Sequence, residues 1–302
     1  MINIVIVRFI IFLQNYTMKY TILVIASTLL LWSCKESSLV KTNIVSNKEE
    51  LYQALLVAKP GDNVVMANGI WEDIQIKITA NGTEDQPIKL SAETPGKVTI
   101  QGKSDLQLGG DYIIVDGLFF TQGYSPSRSV IQFAVHDTIA NHCVVTNCGI
   151  KDYNKMQRNF QDIWVLFKGR HNQLSHCYLE GKSNRGPTVR VDLEGNQNVY
   201  NHHKIINNHF GPRPPKGGPS AETIQIGNSH TSMCPSHTLI ANNLFDQCNG
   251  EVEVISSKTN FNEFRNNVFY KSEGSLVTRH GNYCIIDGNY FIGDDTLSLI
   301  HI

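Results

Sequence analysis

Short runs of alternating apolar and polar residues dominate the chain, and they recur at regular intervals. A five-residue phrase appears as VDGLF ending at Phe119, TNCGI ending at Ile150 and SHCYL ending at Leu179. It returns as INNHF (Phe210), ANNLF (Phe245), RNNVF (Phe269) and DGNYF (Phe291), at intervals of 31, 29, 31, 35, 24 and 22 residues. Each phrase is followed by a β-branched, alternating run: VIQFAV, DIWVLF, PTVRVD, TIQIGN, EVEVIS, SLVTRH and LSLIHI. A unit of two to three dozen residues that varies by insertion is the mark of a solenoid, and period-2 runs make its elements strands. The pattern predicts an all-β chain folded as a single right-handed parallel β-helix. Asn208, Asn243, Asn267 and Asn289 would form an internal ladder. Their amides can bond along the stack and tolerate a left-handed turn. A β-sandwich has no reason to repeat Asn-Asn-x-Phe in register.

The mouth of such a stack is an open sheet edge and needs a cover. SNKEELYQALLVAKPGD supplies a helix, with Ser46 and Glu49 as a capping box, Leu51, Leu55 and Leu56 as its apolar face, and Pro60-Gly61 as its stop. At the other end the chain stops in mid-coil, so the solenoid is expected to be incomplete there. Ahead of the helix, Met18-Lys19 opens an apolar run ending in Leu31-Trp32-Ser33-Cys34. That is the form of a bacterial lipoprotein signal, with Cys34 the lipidated residue and Met18 a candidate true start. The expected organisation is a signal over 1–34, a linker over 35–44 and a β-helix domain over 45–302. It predicts an exported, monomeric outer-membrane lipoprotein, periplasmic or on the cell surface, anchored by lipid without spanning the membrane.

Composition narrows the chemistry. The 302 residues carry a net charge of −1, 41 % hydrophobic and 18 % charged residues, which excludes a basic nucleic-acid surface as the main theme. The other cysteines, Cys143, Cys148, Cys177, Cys234, Cys248 and Cys284, show no CxxC and no zinc spacing, and read as buried thiols. Trp71 and Trp164 read better as core than as sugar platforms. The paired His202 and His203 read as surface or satisfied buried residues.

The unusual stretch is NGEVEVISSK. Strand alternation would turn Val252 and Val254 inward and Glu251 and Glu253 outward, with Lys258 just past the strand. One coil on, SLVTRHG offers Arg279 and His280; one and two coils back lie Thr223 with Gln225, and Arg190. Arg213 and Lys216, in the insertion GPRPPKGGPS, are further candidates for an acidic ligand. The acid pair admits three readings. It could be a solvated salt-bridge network. It could be a glycosidase pair, although residues i and i+2 stand about 7 Å apart, a poor fit around one bond. It could be a hard-cation site. The last suits acidic sugars, because removing a proton next to a uronate carboxylate needs that carboxylate neutralised and a base at hand.

From Val45 onward the chain resembles polysaccharide lyase family six, the alginate lyases and chondroitinase B. The resemblance runs through ALLVAKPGDNVVMANGIWED, PIKLSAETPGKVTIQGKSDLQLGGDYIIVDGLFF and HNQLSHCYLEGKSNRGPTVRV, and is most specific in NGEVEVISSK followed by RHG, with Arg279 21 residues after Lys258. It implies Ca²⁺ on Glu251 and Glu253, Lys258 as the base, Arg279 as the acid and His280 beside it at the substrate. Where the family has an Asn ligand, this chain has Pro219-Ser220-Ala221, so Glu222 is the substitute ligand. Gln225 replaces a common Arg. The resemblance implies β-elimination on a uronic-acid polysaccharide, alginate first. The alternatives are a dermatan-type chondroitin lyase and a non-catalytic β-helix that binds acidic glycan.

Overall fold

A computed structural model describes residues 42–293 and 300–301; the predicted signal, Cys34 and the start of the predicted linker lie outside the described residues. The strand runs build three long parallel sheets of ten, nine and nine strands, with one small antiparallel pair. Apart from the first two strands and the antiparallel pair, consecutive strands of the chain belong to different sheets. Each sheet is therefore assembled from successive coils, which is the parallel β-helix expected from the repeat. The alternating runs all enter one nine-stranded sheet, here called the site sheet. Its strands include Ile163–Phe167, Val189–Val191, Ile224–Ile226, Glu253–Ser257 and Ser275–Thr278. Residues 42–44 of the expected linker already belong to strand Thr42–Val45, which pairs in parallel with Asn63–Met66.

Register is fixed along the corner between the other two sheets. Asn208 Nδ2 donates to Asn243 Oδ1 at 3.0 Å, Asn243 Nδ2 to Asn267 Oδ1 at 3.0 Å, and Asn267 Nδ2 to Asn289 Oδ1 at 2.8 Å. Each Oδ1 also accepts the backbone N–H of the preceding coil's Asn. The left-handed backbone falls one residue earlier, on Asn207, Asn242 and Asn266. One Asn of each pair thus makes the turn and the other ties the coils. Next to it Phe210, Phe245, Phe269 and Phe291 stack with centroids 4.5–5.0 Å apart. In the first coil of this series the core position is Phe120, which pairs with Ile150, and not Phe119. Cys143, Cys148, Cys177 and Cys248 are buried free thiols. Trp71 and Trp164 are buried, donating to the Ala67 and Tyr153 carbonyls.

The helix α1 (Lys48–Leu56) packs on the first coil. Its cap is Asn47, not Ser46: Asn47 Oδ1 accepts Glu50 N–H at 2.9 Å, while Glu50 accepts the Ser46 N–H at 2.7 Å. Leu51, Ala54 and Leu55 are buried, but Leu56 is 78 % exposed. With the helix starting at Lys48, position 56 falls on the solvent side, and Ala54 takes the place expected for it. Among the described residues no helix is long and apolar enough to cross a membrane.

A second ladder runs outside the barrel. Tyr112, His142, His171, His202, His237, Phe261 and Tyr283 all have left-handed backbone and stack one on the next, 4.7–5.3 Å between centroids. Burial, then the neighbouring imidazoles, hold His171 and His202 below the ordinary histidine value. His203 is buried and pushed down to about 3 by its burial.

Asn243→Ala removes four hydrogen-bonding contacts of a buried amide and should cost about 2–4 kcal/mol, read as a lower denaturation midpoint. The depressed histidines give the pH dependence its sign. Below the ordinary histidine value the unfolded chain binds more protons than the folded one, so stability should fall as pH drops through that value toward the lower folded ones. Thermal denaturation across mildly acidic pH checks this, and His202→Gln should flatten the slope.

Candidate active site

The acid-rich segment lies at the start of a site-sheet strand, and there the expected alternation fails. Val254 and Ile255 are both buried, at 1 % and 0 % exposure, and the pairing with Ser275–Thr278 shifts register between Glu253 and Ile255. Two successive inward residues turn a corner. Val252, expected inside, is 77 % exposed on the loop before that corner. Thr223, expected to face outward, is buried beside the Cys248 thiol. The shift leaves Glu253 partly exposed, as is Lys258 one residue past the strand, while Ser256 between them is fully buried. Across the strands Arg190 pairs with Gln225, Gln225 with Ser256, and Ser256 with Val277. Ser257 pairs with Thr278, so Lys258 and Arg279 occupy the same next position on adjacent rungs, about 4.8 Å apart at the backbone.

Three carboxylates meet at this corner. Glu222 is buried, and its Oε1 accepts Gln225 Nε2 at 2.9 Å while its Oε2 has no hydrogen-bond partner. Glu251 Oε1 accepts the Ala221 N–H at 3.2 Å. Burial, then the Glu222 carboxylate, push Glu251 up to about 7, with Glu253 adding to the rise. Glu253 Oε1 lies 3.4 Å from Arg279 Nη1. Lys258 is half-buried. Its N–H donates to the Ile226 carbonyl and its carbonyl accepts the Met233 N–H, each at 2.9 Å, so its backbone is held from both sides. Its side chain makes no ion pair among the described residues. His280 is exposed with φ of 145°, a strained conformation for a side-chain-bearing residue, right beside Arg279.

Among the described residues no three His, Cys, Asp or Glu side chains already close on one point as a metal cluster. The donor chemistry and the charge nevertheless fit a hard cation. The side chains carry oxygen ligands, burial and then the Glu222 carboxylate raise Glu251, and Glu222 Oε2 and Gln225 Oε1 are buried without a hydrogen-bond partner.

Arg213, expected to meet substrate, does not. It is 3 % exposed, and burial lowers it to about 10. Its guanidinium donates to the carbonyls of Glu222 (2.7 Å), Gly186 (2.8 Å) and Asn184 (3.2 Å) and to Thr188 Oγ1 (3.0 Å). It thus cross-links two coils directly beneath the acids. A Cβ at Gly250 would run into the Ala221 carbonyl and this guanidinium, so only glycine lets Glu251 approach so closely. Sequence reasoning missed this strut, because Arg in a Pro/Gly-rich insertion reads as a surface cation. Lys182 lies close by; burial, then Arg213, bring it down to about 7. Lys216 Nζ donates to the Gly217 carbonyl at 3.1 Å. His209 stays outside the site, 3.8 Å from Asp246.

The fold is a parallel β-helix with acids, a lysine and an arginine at the ends of adjacent strands of one sheet, and comparison gives its family. The chondroitinase B family profile matches residues 45–300, and the chain belongs to that family, polysaccharide lyase family 6. It is 45 % identical to the family 6 alginate lyase AlyGC, with a TM-score of 0.85 over 86 % of this chain and 36 % of that one. It is 36 % identical to a mannuronic acid specific family 6 lyase from human gut microbiota (TM-score 0.80; 84 % of this chain, 59 % of that one). It is 26 % identical to a family 6 alginate lyase in complex with a trisaccharide (TM-score 0.73; 85 % and 56 %). The chain thus spans about a third to three fifths of the length of these relatives. No curated protein matches it in a sequence comparison.

Arg213→Met removes four buried hydrogen bonds of a guanidinium and should destabilise the fold by about 3 kcal/mol or more. Chemical denaturation checks it, with Lys216→Met, at the surface of the same insertion, as the near-neutral control.

Proposed function

We propose that the protein is a polysaccharide lyase that cleaves a uronic-acid polymer, alginate first, by β-elimination. The observation that carries this is the corner of three carboxylates, one with an orphaned buried oxygen, flanked by Lys258 and Arg279 on adjacent rungs. Glu222, Glu251 and Glu253 would hold Ca²⁺. When bound, the ion supplies positive charge to the uronate carboxylate, which acidifies the neighbouring C5–H. Lys258 stands past the strand end with its backbone pinned and its ammonium unclaimed by any described acid. As the free amine it takes the C5 proton. Arg279 donates to the glycosidic oxygen as the 4-O bond breaks. Its pairing with Glu253 aims the guanidinium along the face where that oxygen would lie. Arg190 extends the same row for binding, Gln225, expected beside it at the substrate, is instead buried and tied to Glu222, and His280 borders Arg279.

The relatives' alginate activity supports alginate over dermatan sulfate, while the family profile keeps a chondroitin-type lyase as the second reading. The sequence of residues 1–34 supports export as a lipoprotein anchored at Cys34.

The test is growth of ultraviolet absorbance from the conjugated unsaturated uronate on alginate and on dermatan sulfate. Alginate should give product, and the rate should fall on chelation and return with Ca²⁺. Lys258→Ala should still bind oligosaccharide but lose about a hundredfold or more in rate, the scale of a missing general base. Binding without cleavage by the unaltered protein would leave a non-catalytic glycan binder. Rates indifferent to chelator would remove the cation.

A further inference from the structure

The helix α1 closes the first coil, but its outer face is not that of an ordinary cap. A cap keeps a solenoid soluble by turning polar residues to water. Here Leu51, Ala54 and Leu55 supply the inner face. The outer face carries Tyr52, Leu56 and Val57, which are 41 %, 78 % and 63 % exposed. Tyr52 and Leu56 are four residues apart and share one stripe of the helix, and Val57 is the C-cap residue beside it. Strand Thr42–Val45, which packs against the helix, adds Ile44 at 60 % exposure. Charge is divided along the helix. Glu49 and Glu50 stand in the first turn, with Glu50 accepting the Ser46 N–H, whereas the last turn holds no acid and Lys59 follows it. The apolar end is thus also the end free of negative charge.

Chain length says what this face can meet. Cys34 lies eight residues before Thr42, where the first strand begins, and eight residues reach at most about 29 Å. The ten-stranded sheet continues from that strand for nine steps, about 43 Å at the spacing of parallel strands. With a lipid on Cys34, the far end of the solenoid therefore cannot rest on the bilayer, and the capped end is the one within reach. The acid corner is six steps along the site sheet from its first strand, Gln75–Ile78, so it stands about 29 Å from the first coil. Contact at the cap leaves that corner clear of the surface.

We propose that the last turn of α1 is a membrane-docking surface. Tyr52, Leu56 and Val57 enter the interfacial layer of the bilayer that holds the lipid on Cys34, and the solenoid stands on its cap with the acid corner raised above the headgroups. Aliphatic side chains, a phenol and a nearby lysine suit that boundary, where apolar groups are buried while hydroxyl and ammonium groups stay wet. The inference rests on the lipoprotein reading for the nearness of the bilayer, and it adds a non-covalent contact to the covalent anchor.

The experiment puts a tryptophan reporter into the full chain, which is processed in a bacterium and reconstituted in phosphatidylethanolamine–phosphatidylglycerol vesicles with brominated acyl chains. Emission is read as the difference from the unaltered protein, and the mass of the N-terminal peptide reads lipidation separately. Tyr52→Trp should lose most of its added emission to the bromines. Tyr290→Trp, exposed on a coil at the far end, should lose none. Adding Leu56→Glu and Val57→Glu to Tyr52→Trp should restore the emission. The denaturation midpoint and the rate on soluble alginate should stay unchanged, because both side chains lie outside the core and far from the acid corner. A lipidated protein whose Tyr52→Trp emission is not quenched overturns the docking face and leaves the lipoprotein reading intact. Quenching that the two glutamates do not relieve also overturns this face. Quenching that depends on Leu56 and Val57 in a chain without lipid supports the docking and removes the anchor. A chain with neither lipid nor quenching overturns both.

Discussion

Everything at the candidate site depends on register between coils. A parallel sheet built one strand per turn has no hairpins to set its pairing, and a slip by one residue would send the outer row of the site sheet into the core. The asparagine column prevents such a slip. Each amide binds the next coil's amide and, in the preceding coil, a backbone N–H and a carbonyl, so a coil displaced by one residue would lose all three. The phenylalanine stack beside it adds shape to the same lock. With register held on one corner, the opposite sheet can carry residues that repel one another.

That division of labour explains why so much was legible in the sequence. Asn and Phe recur because the lock must repeat in every coil, and a repeating demand leaves a period. The outer aromatic ladder has the same period: His142, His171, His202, His237, Phe261 and Tyr283 lie 29, 31, 35, 24 and 22 residues apart, the intervals of the core phrase from Ile150 onward. It could have been found by the same search. Features that occur once were misread. Ser46 and Asn47 are both good caps, and only the packing of Leu51 and Ala54 chooses between them. The corner at Val254–Ile255 breaks the strand's period at a single place, so alternation assigned Val252 to the core. The burial of Arg213 is set by carbonyls of Asn184 and Gly186 in the preceding coil, a fact no local pattern contains.

These single-occurrence departures cluster around the acids. The doubled inward pair, the glycine required at 250, the buried guanidinium and the strained His280 all lie within a few residues or one coil of Glu222, Glu251 and Glu253. A solenoid repeats wherever only packing matters. Where it ceases to repeat, something other than packing is being served, in line with the tendency of functional sites to break local rules.

The energetics point the same way. Glu251 is pushed up to about 7 because burial and Glu222 oppose its charge, while a backbone N–H from Ala221 holds its carboxylate in position and eases part of the rise. As a purely structural feature this arrangement is unfavourable: the acids would be better spaced apart or replaced by neutral groups. The positive charge of Arg213 relieves part of the repulsion from below, but its donors are used on carbonyls and Thr188, not on carboxylates. On the outer side Arg279 reaches Glu253 but leaves Glu222 Oε2 bare. The corner thus concentrates negative charge that Arg213 offsets from beneath and Arg279 offsets only at Glu253. The cation proposed for this corner would meet acids whose repulsion is partly relieved by Arg213, which would leave less reorganisation to oppose its binding.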